Sequence, residues 1–401
     1  MTGRPDASRQ DAGPLAAGPS RSSAWRLRGC FVLLGALSAG WTVRIPAVKE
    51  KLSLTDGQLG LEVLGWGLAT LAAMQFSATV LRRHGTSRVL AVALPVLALS
   101  LVPVGLASSF LQLVLAGVLF GVGYGLAEVA ATTAASALEA AFDRPLMGGM
   151  HASWSIGAVA GGLLGALGAA LELGFTTWML ILGSGGLLLA LVLVARLPAA
   201  PRVLAPPPVP GPEHRASRLP RVLILYGIVV AAAYLAEGTV ADWSGVYLVG
   251  FTGTSQAVAA LAYPLTEGVV IGARLLADRL PAGSRYAVIV VAAASIAAIG
   301  FLVTSIAPVW WVALGGFLLV GGSIGVLAPL TLSGGARLAP DRRAAAVARL
   351  STLGYAGFLL GPVVIGSASQ TWTLATALLV AGGVCLLAVA AALLIGTSSR
   401  R

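Results

Sequence analysis

The chain has 401 residues, of which 57% are hydrophobic and only 10% are charged. Soluble globular proteins carry about 25% charged residues, so a water-exposed surface is excluded for most of this molecule. The net charge of +11 does not indicate nucleic acid as a partner, because the basic residues form short clusters between apolar runs. The composition therefore predicts an all-α integral membrane protein embedded in a lipid bilayer.

Twelve apolar runs along the chain have the length that a membrane span requires. A spanning helix needs about 20 predominantly apolar residues. We place spans 1 to 12, in chain order, at residues 25–43, 58–80, 88–107, 110–138, 146–170, 174–195, 222–245, 255–276, 286–306, 309–333, 343–367 and 372–396. An even number of spans places both termini on the same side of the membrane.

The segments outside the spans divide the chain into two halves. Residues 1–24 are rich in Pro, Gly, Ser and Arg, which predicts a disordered tail. This segment is not a signal peptide, because the following apolar run is long and lacks a small-residue cleavage site. Residues 196–221 are Pro-rich and predict an extended linker between two six-helix halves, 25–195 and 222–396, with a second tail at 397–401.

The distribution of basic residues predicts the orientation. If the N-terminus is cytoplasmic, the outer loops contain only three of the 26 Lys and Arg residues, namely Arg44, Lys49 and Lys51. The others fall in the tails, the inner loops or the inner ends of spans, as the positive-inside rule requires. The sequence therefore predicts a multi-pass protein of the cell (inner) membrane with both termini in the cytoplasm.

Glycines reveal a similarity between the two halves. Two glycine pairs, one in span 4 and one in span 5, recur 200 residues later, in spans 10 and 11: Gly121 and Gly125 as Gly321 and Gly325, and Gly157 and Gly161 as Gly357 and Gly361. Four matches at one offset indicate a parallel repeat. Two parallel halves around a central site are the architecture expected of an alternating-access transporter.

The loop between spans 2 and 3 resembles that of the major facilitator superfamily. The family pattern is G-x-L-a-D-R-x-G-R-+-x-x-L, and the segment ATVLRRHGTSRVL matches it at Arg83, Gly85 and Arg88, with Arg82 at the acidic position. The resemblance covers roughly residues 25–396. It implies a fold of twelve transmembrane helices in two pseudo-symmetric halves, and secondary active transport.

The second half carries its own version of this loop, GARLLADRLPAGSR. Such loops pin helix ends together by ion pairs in one conformation and release them in the other. We name the six candidate residues the inner latch: Arg83, Gly85, Arg88, Arg274, Asp278 and Arg279. The alternative is that their basic residues only satisfy the positive-inside rule.

Four further segments narrow the resemblance. They are WTVRIP from Trp41, GYGLAEVA from Gly123, GGMHASWSIGAVAGG from Gly148 and EGTVADW from Glu237. They are similar to an uncharacterised bacterial permease group that is itself similar to fucose-type sugar permeases. In those relatives a carboxylate in helix 4 is implicated in proton coupling, and Glu128 stands at the matching place. The resemblance implies proton-coupled uptake of a sugar-like solute, and proton-driven efflux of drugs or metabolites is the alternative.

Ionisable residues inside spans are costly and therefore indicate function. Glu128 lies in an apolar stretch of span 4, where burial favours the protonated form of a carboxylate. His151 in the adjoining span 5 is the second proton-coupling candidate, as the partner of Glu128 in a relay. The alternative for both is a structural hydrogen bond.

The remaining candidates are assigned to the cavity or to the outer gate. Glu237 and Asp242 are five residues apart, so we assign Glu237 to the substrate cavity and Asp242, with Trp243 and Arg44, to an outer gate. Glu267 is also a cavity candidate. It is seven residues from Arg274, two turns along one helix face, so a simple ion pair is the alternative.

Tyr124, Trp154 and Tyr234 are predicted to line the cavity and stack on a ring of the solute. Packing or interfacial anchoring is the alternative role for these aromatic side chains.

The sequence favours a transporter over an enzyme. No G-x-x-x-x-G-K-[ST] motif is present, so the chain is not expected to hydrolyse ATP. The three histidines are dispersed, which disfavours a membrane enzyme; a transporter-like sensor remains the other alternative class. We expect no cofactor or metal, a monomer, and a small molecule and protons as partners.

Overall fold

The computed structural model describes residues 21–142, 146–195, 222–277, 286–339 and 342–398. Regular structure in these ranges is helical. The helices are α1 (Arg21–Thr42), α2 (Ile45–Lys51), α3 (Asp56–His84), α4 (Thr86–Leu106), α5 (Phe110–Phe142), α6 (Met147–Ala170), α7 (Phe175–Val194), α8 (Leu223–Thr252), α9 (Gln256–Ala259), α10 (Ala262–Ala277), α11 (Tyr286–Ser305), α12 (Trp310–Arg337), α13 (Arg343–Thr371) and α14 (Leu374–Ser398). The predicted linker 196–221 and most of both predicted tails lie outside the described residues.

The prediction of twelve spans is confirmed. In the described part of the chain, eleven segments are long and apolar enough to cross a membrane, and α1 with α2 forms a twelfth that is bent by 42°. Pro46 lies in the first turn of α2. Proline has no backbone N–H to continue α1, but it suits the first turn of a new helix, which accounts for the break.

The end of span 7 differs most from the structure, and predicted span 8 (255–276) is divided between α9 and α10. Span 7 was placed at 222–245, but α8 continues to Thr252 because the residues after 245 are still mainly apolar. The helix ends at Gly253, whose φ of 66° is left-handed. Glycine adopts this conformation without steric cost and commonly ends helices in this way.

The glycine repeat reflects the same helix packing in both halves. Glycines of α5 pack on α3, where a Cβ atom at Gly125 would lie 2.5 Å from the carbonyl oxygen of Thr70. The equivalent glycines of α12 pack on α10, where a Cβ atom at Gly325 would lie 2.6 Å from the carbonyl oxygen of Val270. Only glycine allows backbones to approach this closely.

The second glycine pair packs α6 on α1 and α13 on α8. A Cβ atom at Gly157 would lie 2.8 Å from the Cα atom of Val32, and one at Gly357 would lie 2.9 Å from the Cα atom of Ala231. The 200-residue offset therefore corresponds to two equivalent helix contacts in each half. This is the arrangement expected of two pseudo-symmetric six-helix halves.

The two halves are joined at the end of the bundle opposite to the start of α1 and the end of α14. We call this end the distal face and the other end the terminal face. Three hydrogen bonds cross between the halves there: Ser369 to Asp56, Gln370 to Thr55 at 3.2 Å, and Gln256 to Glu50 at 2.6 Å. The backbones of α3 and α13 also meet there, because Gly60 lies against Pro362 and Gly366. The molecule is therefore closed at its distal face.

Candidate functional site

A cavity of about 230 Å³ lies between the two halves, in the middle of the bundle. Its walls come from both halves, including α3, α5 and α6 on one side and α8, α10 and α13 on the other. Six of the residues assigned to functional roles from the sequence line it: Tyr124, Glu128, Trp154, Tyr234, Glu237 and Asp242. A cavity with walls from both halves changes shape when the halves rotate, which alternating access requires.

Glu128 is held by a string of hydrogen bonds within the N-terminal half. The indole Nε1 of Trp154 donates to the hydroxyl oxygen of Tyr124 over 3.0 Å. Tyr124 in turn forms a side-chain hydrogen bond with Glu128, one helical turn further along α5. Because an indole N–H can only donate, the hydroxyl hydrogen of Tyr124 is free to point to the carboxylate. The string thus holds the side chain of Glu128 at the wall of the cavity.

His151 lies elsewhere in this structure. Its ring packs edge-on against Phe31 at a centroid distance of 5.8 Å, and the side chain is exposed. The hydrogen-bond partner that the structure gives Glu128 is Tyr124. The relay between His151 and Glu128 stays a prediction.

Arg274 forms a different ion pair from the one with Glu267 that its spacing in the sequence suggested. Its Nη2 atom lies 3.6 Å from Oε1 of Glu237 on α8, rather than pairing with Glu267 on its own helix. Seven residues along a helix correspond to about 10 Å, so the neighbouring helix offers the closer partner. Glu267 is buried and forms a side-chain hydrogen bond with Ser155 of the other half.

The five-residue spacing of Glu237 and Asp242 did not separate their environments. Both line the cavity, and so does Ala241, which is adjacent to Asp242 and one turn on from Glu237. The cavity therefore covers a wide arc of α8. Asp242 therefore lines the cavity, and its role in an outer gate stays a prediction.

The other two outer-gate candidates lie near the distal face. Trp243 is fully buried in a cluster that contains Ile45 and Leu59 of the N-terminal half. Arg44, between α1 and α2, donates from Nη2 to the carbonyl oxygen of Leu173 over 2.7 Å. These positions suit a gate, but its operation is untested.

Three residues of the inner latch lie at the junction of α3 and α4, and a fourth, Arg274, lies on α10 and pairs with Glu237. Gly85 has a φ of 79°, which permits the sharp turn between these helices, and Arg83 and Arg88 are exposed beside it. Asp278 and Arg279 lie outside the described residues. The ion pairs of the latch therefore stay a prediction.

Sequence analysis missed one buried carboxylate, Glu62 of α3. Its side chain is 1% exposed, and neither carboxylate oxygen has a hydrogen-bond partner among the described residues. Glu62 interrupts the apolar stretch LGLEVLGWG of span 2. The same rule that selected Glu128 would have selected it.

Aromatic residues that were not predicted complete the cavity wall. Trp66, Tyr263, Tyr355 and Phe358 also line it, and the rings of Tyr355 and Tyr234 are 6.1 Å apart. The wall thus combines aromatic faces, hydroxyl groups and carboxylates. In the described part of the chain, no three His, Cys, Asp or Glu side chains group as a metal site would require.

Comparison with known proteins identifies the family. The model of the Major Facilitator Superfamily matches residues 29–342. The chain belongs to the major facilitator superfamily. An uncharacterised transporter of this superfamily from Yersinia pestis is 30% identical over 363 residues, which cover 90% of this chain and 92% of the relative. The resemblance inferred from the inner loops is thus confirmed, and the narrower resemblance to fucose-type permeases stays a prediction.

Solved structures confirm the fold of this superfamily member. A bacterial homologue of the human lysosomal transporter Spinster, in an inward-facing and unoccupied conformation, matches with a TM-score of 0.75 at 16% identity. The match covers 96% of this chain and 98% of that one. A D-xylose–proton symporter matches with a TM-score of 0.67 at 16% identity, covering 91% of this chain and 96% of the symporter. At such identities the likeness extends to the fold alone.

Proposed function

We propose that this superfamily transporter takes up a small sugar-like solute together with protons, by alternating access. The observation that carries the proposal is the cavity between the halves, in which Glu128 is hydrogen-bonded to Tyr124 beside Trp154. The site is built from both halves, so the solute and the carboxylate share one compartment. Coupling requires such a shared compartment.

The cavity wall suits a hydroxylated ring. Aromatic faces at Tyr234 and Tyr355 offer stacking surfaces, while their hydroxyls and the nearby carboxylates offer hydrogen-bonding groups. The symporter that shares the fold carries D-xylose with a proton, so the fold is compatible with this chemistry.

Glu128 supports the proton part of the proposal. A carboxylate in an apolar bilayer environment is either paired or protonated, and its partner here is a neutral hydroxyl. Glu128 can therefore gain and lose a proton as the exposure of the cavity changes. The ring of His151 packs against Phe31, and its part in this exchange stays a prediction.

Proton-driven efflux is the second candidate function. Glu128, Glu237 and Asp242 give the cavity three carboxylates among many aromatic rings. Such a surface also suits an organic cation, through charge and cation–π attraction.

A thermal-shift screen of the purified protein distinguishes the two. We expect neutral sugars to raise the melting temperature, since a ligand at 100 times its Kd stabilises by about 2.7 kcal/mol. Tyr234→Ala should abolish the shift, while Phe251→Ala, on the same helix but outside the cavity lining, should retain it. If only organic cations raised the melting temperature, the proposal of sugar uptake would give way to that of cation efflux.

The proposed location is the inner membrane with the terminal face in the cytoplasm. Reporter fusions after residues 53 and 253, next to the distal ends of α2 and α8, should report the outside. Fusions within 200–218 should report the cytoplasm, because basic residues concentrate on that side. An external signal from the linker would contradict both the orientation and the number of spans.

A further inference from the structure

Glu62 is a buried acid that the proposed coupling at Glu128 does not use. It lies in the second turn of α3, close to the distal face, with 1% of its surface exposed. Neither of its carboxylate oxygens has a hydrogen-bond partner among the described residues. Its Oε1 atom is directed at Gly117 of α5, where a Cβ atom would lie 2.7 Å away. An ionised carboxylate in such a place is expensive to bury.

Asp242 lies opposite, on the other half of the molecule. It belongs to α8, is 3% exposed and lines the cavity, and its Oδ2 atom also lacks a partner among the described residues. Trp66, one helical turn from Glu62 on α3, lines the same cavity as Asp242, and the negative charge of Asp242 acts on Glu62. The two halves thus bring two acids together beneath the distal closure.

The described residues include one buried cation at the distal closure, Arg44, whose Nη2 atom donates to the carbonyl oxygen of Leu173 rather than to either acid. Asp242 is the ionisable group that acts on Glu62. From α5, the residue that lies against the Glu62 carboxylate is the uncharged Gly117.

On the other side, Asp242 acts on the hydroxyl of Tyr263 from α10. Arg274, whose charge also acts on Glu267 and Tyr263, forms its ion pair with Glu237. Protonation is therefore the means of neutralising the pair.

We propose that Glu62 and Asp242 form a second proton-binding site across the interface of the two halves, filled when the distal face is closed and emptied when it opens. The site builds on the proposed proton-coupled function, to which it adds control of the distal closure. In the closed state water is excluded from Glu62, so the neutral acid is favoured. Opening separates α3 from α8 and admits water, which favours the carboxylate.

The sign of the pH dependence follows from this difference. The closed state binds more protons than the open state, so raising the pH shifts the molecule toward the distally open state. For one proton, the equilibrium constant changes by at most about tenfold per pH unit. No solute is needed for this response.

The distance between Ser108 and Pro308 offers a direct measurement. Both are exposed at the distal face, in the α4–α5 loop of one half and the α11–α12 loop of the other, so cysteines introduced there can carry spin labels. The native Cys30 and Cys385 are 0% and 1% exposed and should stay unlabelled. The distance distribution of the full chain in lipid is recorded without solute from about pH 5 to about pH 9, a range over which buried carboxylates titrate.

We expect the long, open distance to gain population as the pH rises in the doubly labelled protein that is otherwise wild type. Glu62→Gln should remain closed at every pH. Asp242→Asn should weaken the opening at high pH, and it serves as the second variant if Glu62→Gln folds poorly. Glu172→Gln, which changes an exposed acid near the distal face, should retain the wild-type response. A wild-type response in Glu62→Gln, a response to Na⁺ rather than to pH, or no response in the wild type would overturn the proposal. Loss of solute uptake with the pH response of the distance intact would count against the proposed function only.

Discussion

Glu128→Gln is expected to abolish solute accumulation driven by a pH gradient while solute binding is retained. Glutamine mimics the neutral acid and can still accept a hydrogen bond from Tyr124, which is the partner of Glu128 in the structure. The variant can therefore cycle only in a form that resembles the transporter with Glu128 protonated. One pH unit is worth about 1.4 kcal/mol per proton, so a wild type that couples one proton gains about tenfold accumulation per unit, and the variant none.

Binding, counterflow and pH-driven uptake are measured on one preparation in vesicles. Glu139→Gln is the matched control, because Glu139 lies on the same helix but accepts hydrogen bonds from the backbone N–H groups of Leu146 and Met147 at the helix end. It should accumulate solute as the wild type does. Counterflow should survive in Glu128→Gln, since exchange needs no net proton movement.

Other patterns would assign Glu128 a different role. Collapse of binding would show that the carboxylate contacts the solute. A lower melting temperature with normal transport by the surviving protein would show a structural role. Full pH-driven accumulation by a well-folded Glu128→Gln protein would defeat the coupling assignment.

The spans could be predicted because their signal is local. Apolar runs long enough to cross a bilayer leave few alternatives in a chain with so little charge. The glycine repeat was also informative, because Gly125 and Gly325 occupy equivalent helix contacts. Backbone approach requires glycine at both places, so the chemistry of the contact is visible in the sequence.

The site was only partly predictable, because its contacts join helices that are remote in sequence. Spacing on α10 suggested a partner for Arg274 on its own helix, but the structure pairs it with Glu237 of α8. The hydrogen bond from Trp154 to Tyr124 likewise joins α6 to α5. Periodicity predicts which residues share a helix face, but it does not predict which face of the next helix lies opposite.

Glu62 shows a different limit. Its position inside an apolar span was visible in the sequence. Its proposed role as a proton site, however, depends on Asp242, which lies 180 residues away and on the other half. The distal closure that brings them together also depends on contacts such as Gly60 on Pro362. These contacts belong to one conformation of the cycle, so a substitution there should act on the conformational equilibrium.

Gly60→Val is accordingly expected to abolish transport by preventing distal closure. In the closed structure a Cβ atom at Gly60 would lie 2.6 Å from the carbonyl oxygen of Pro362 and 3.6 Å from the Cα atom of Gly366. These are backbone atoms of α13 and cannot move aside as a flexible side chain would. Overpacking of this kind costs about 1–3 kcal/mol or more, which shifts the equilibrium toward the open state by about tenfold for each 1.4 kcal/mol.

Gly65→Val is the matched control on the same helix. A Cβ atom at Gly65 would lie 3.8 Å from Cγ1 of Val114, an ordinary contact, so this variant carries the same change in helix propensity without the clash. Gly60→Val should show the long distance between labels at Ser108 and Pro308 at every pH and no net uptake, with a melting temperature near that of Gly65→Val. The open state lacks the clash, and only closure is penalised. Wild-type transport by Gly60→Val would mean that α3 and α13 need not meet during the cycle, whereas a large loss of stability relative to Gly65→Val would mean that the closed contact is part of the fold itself.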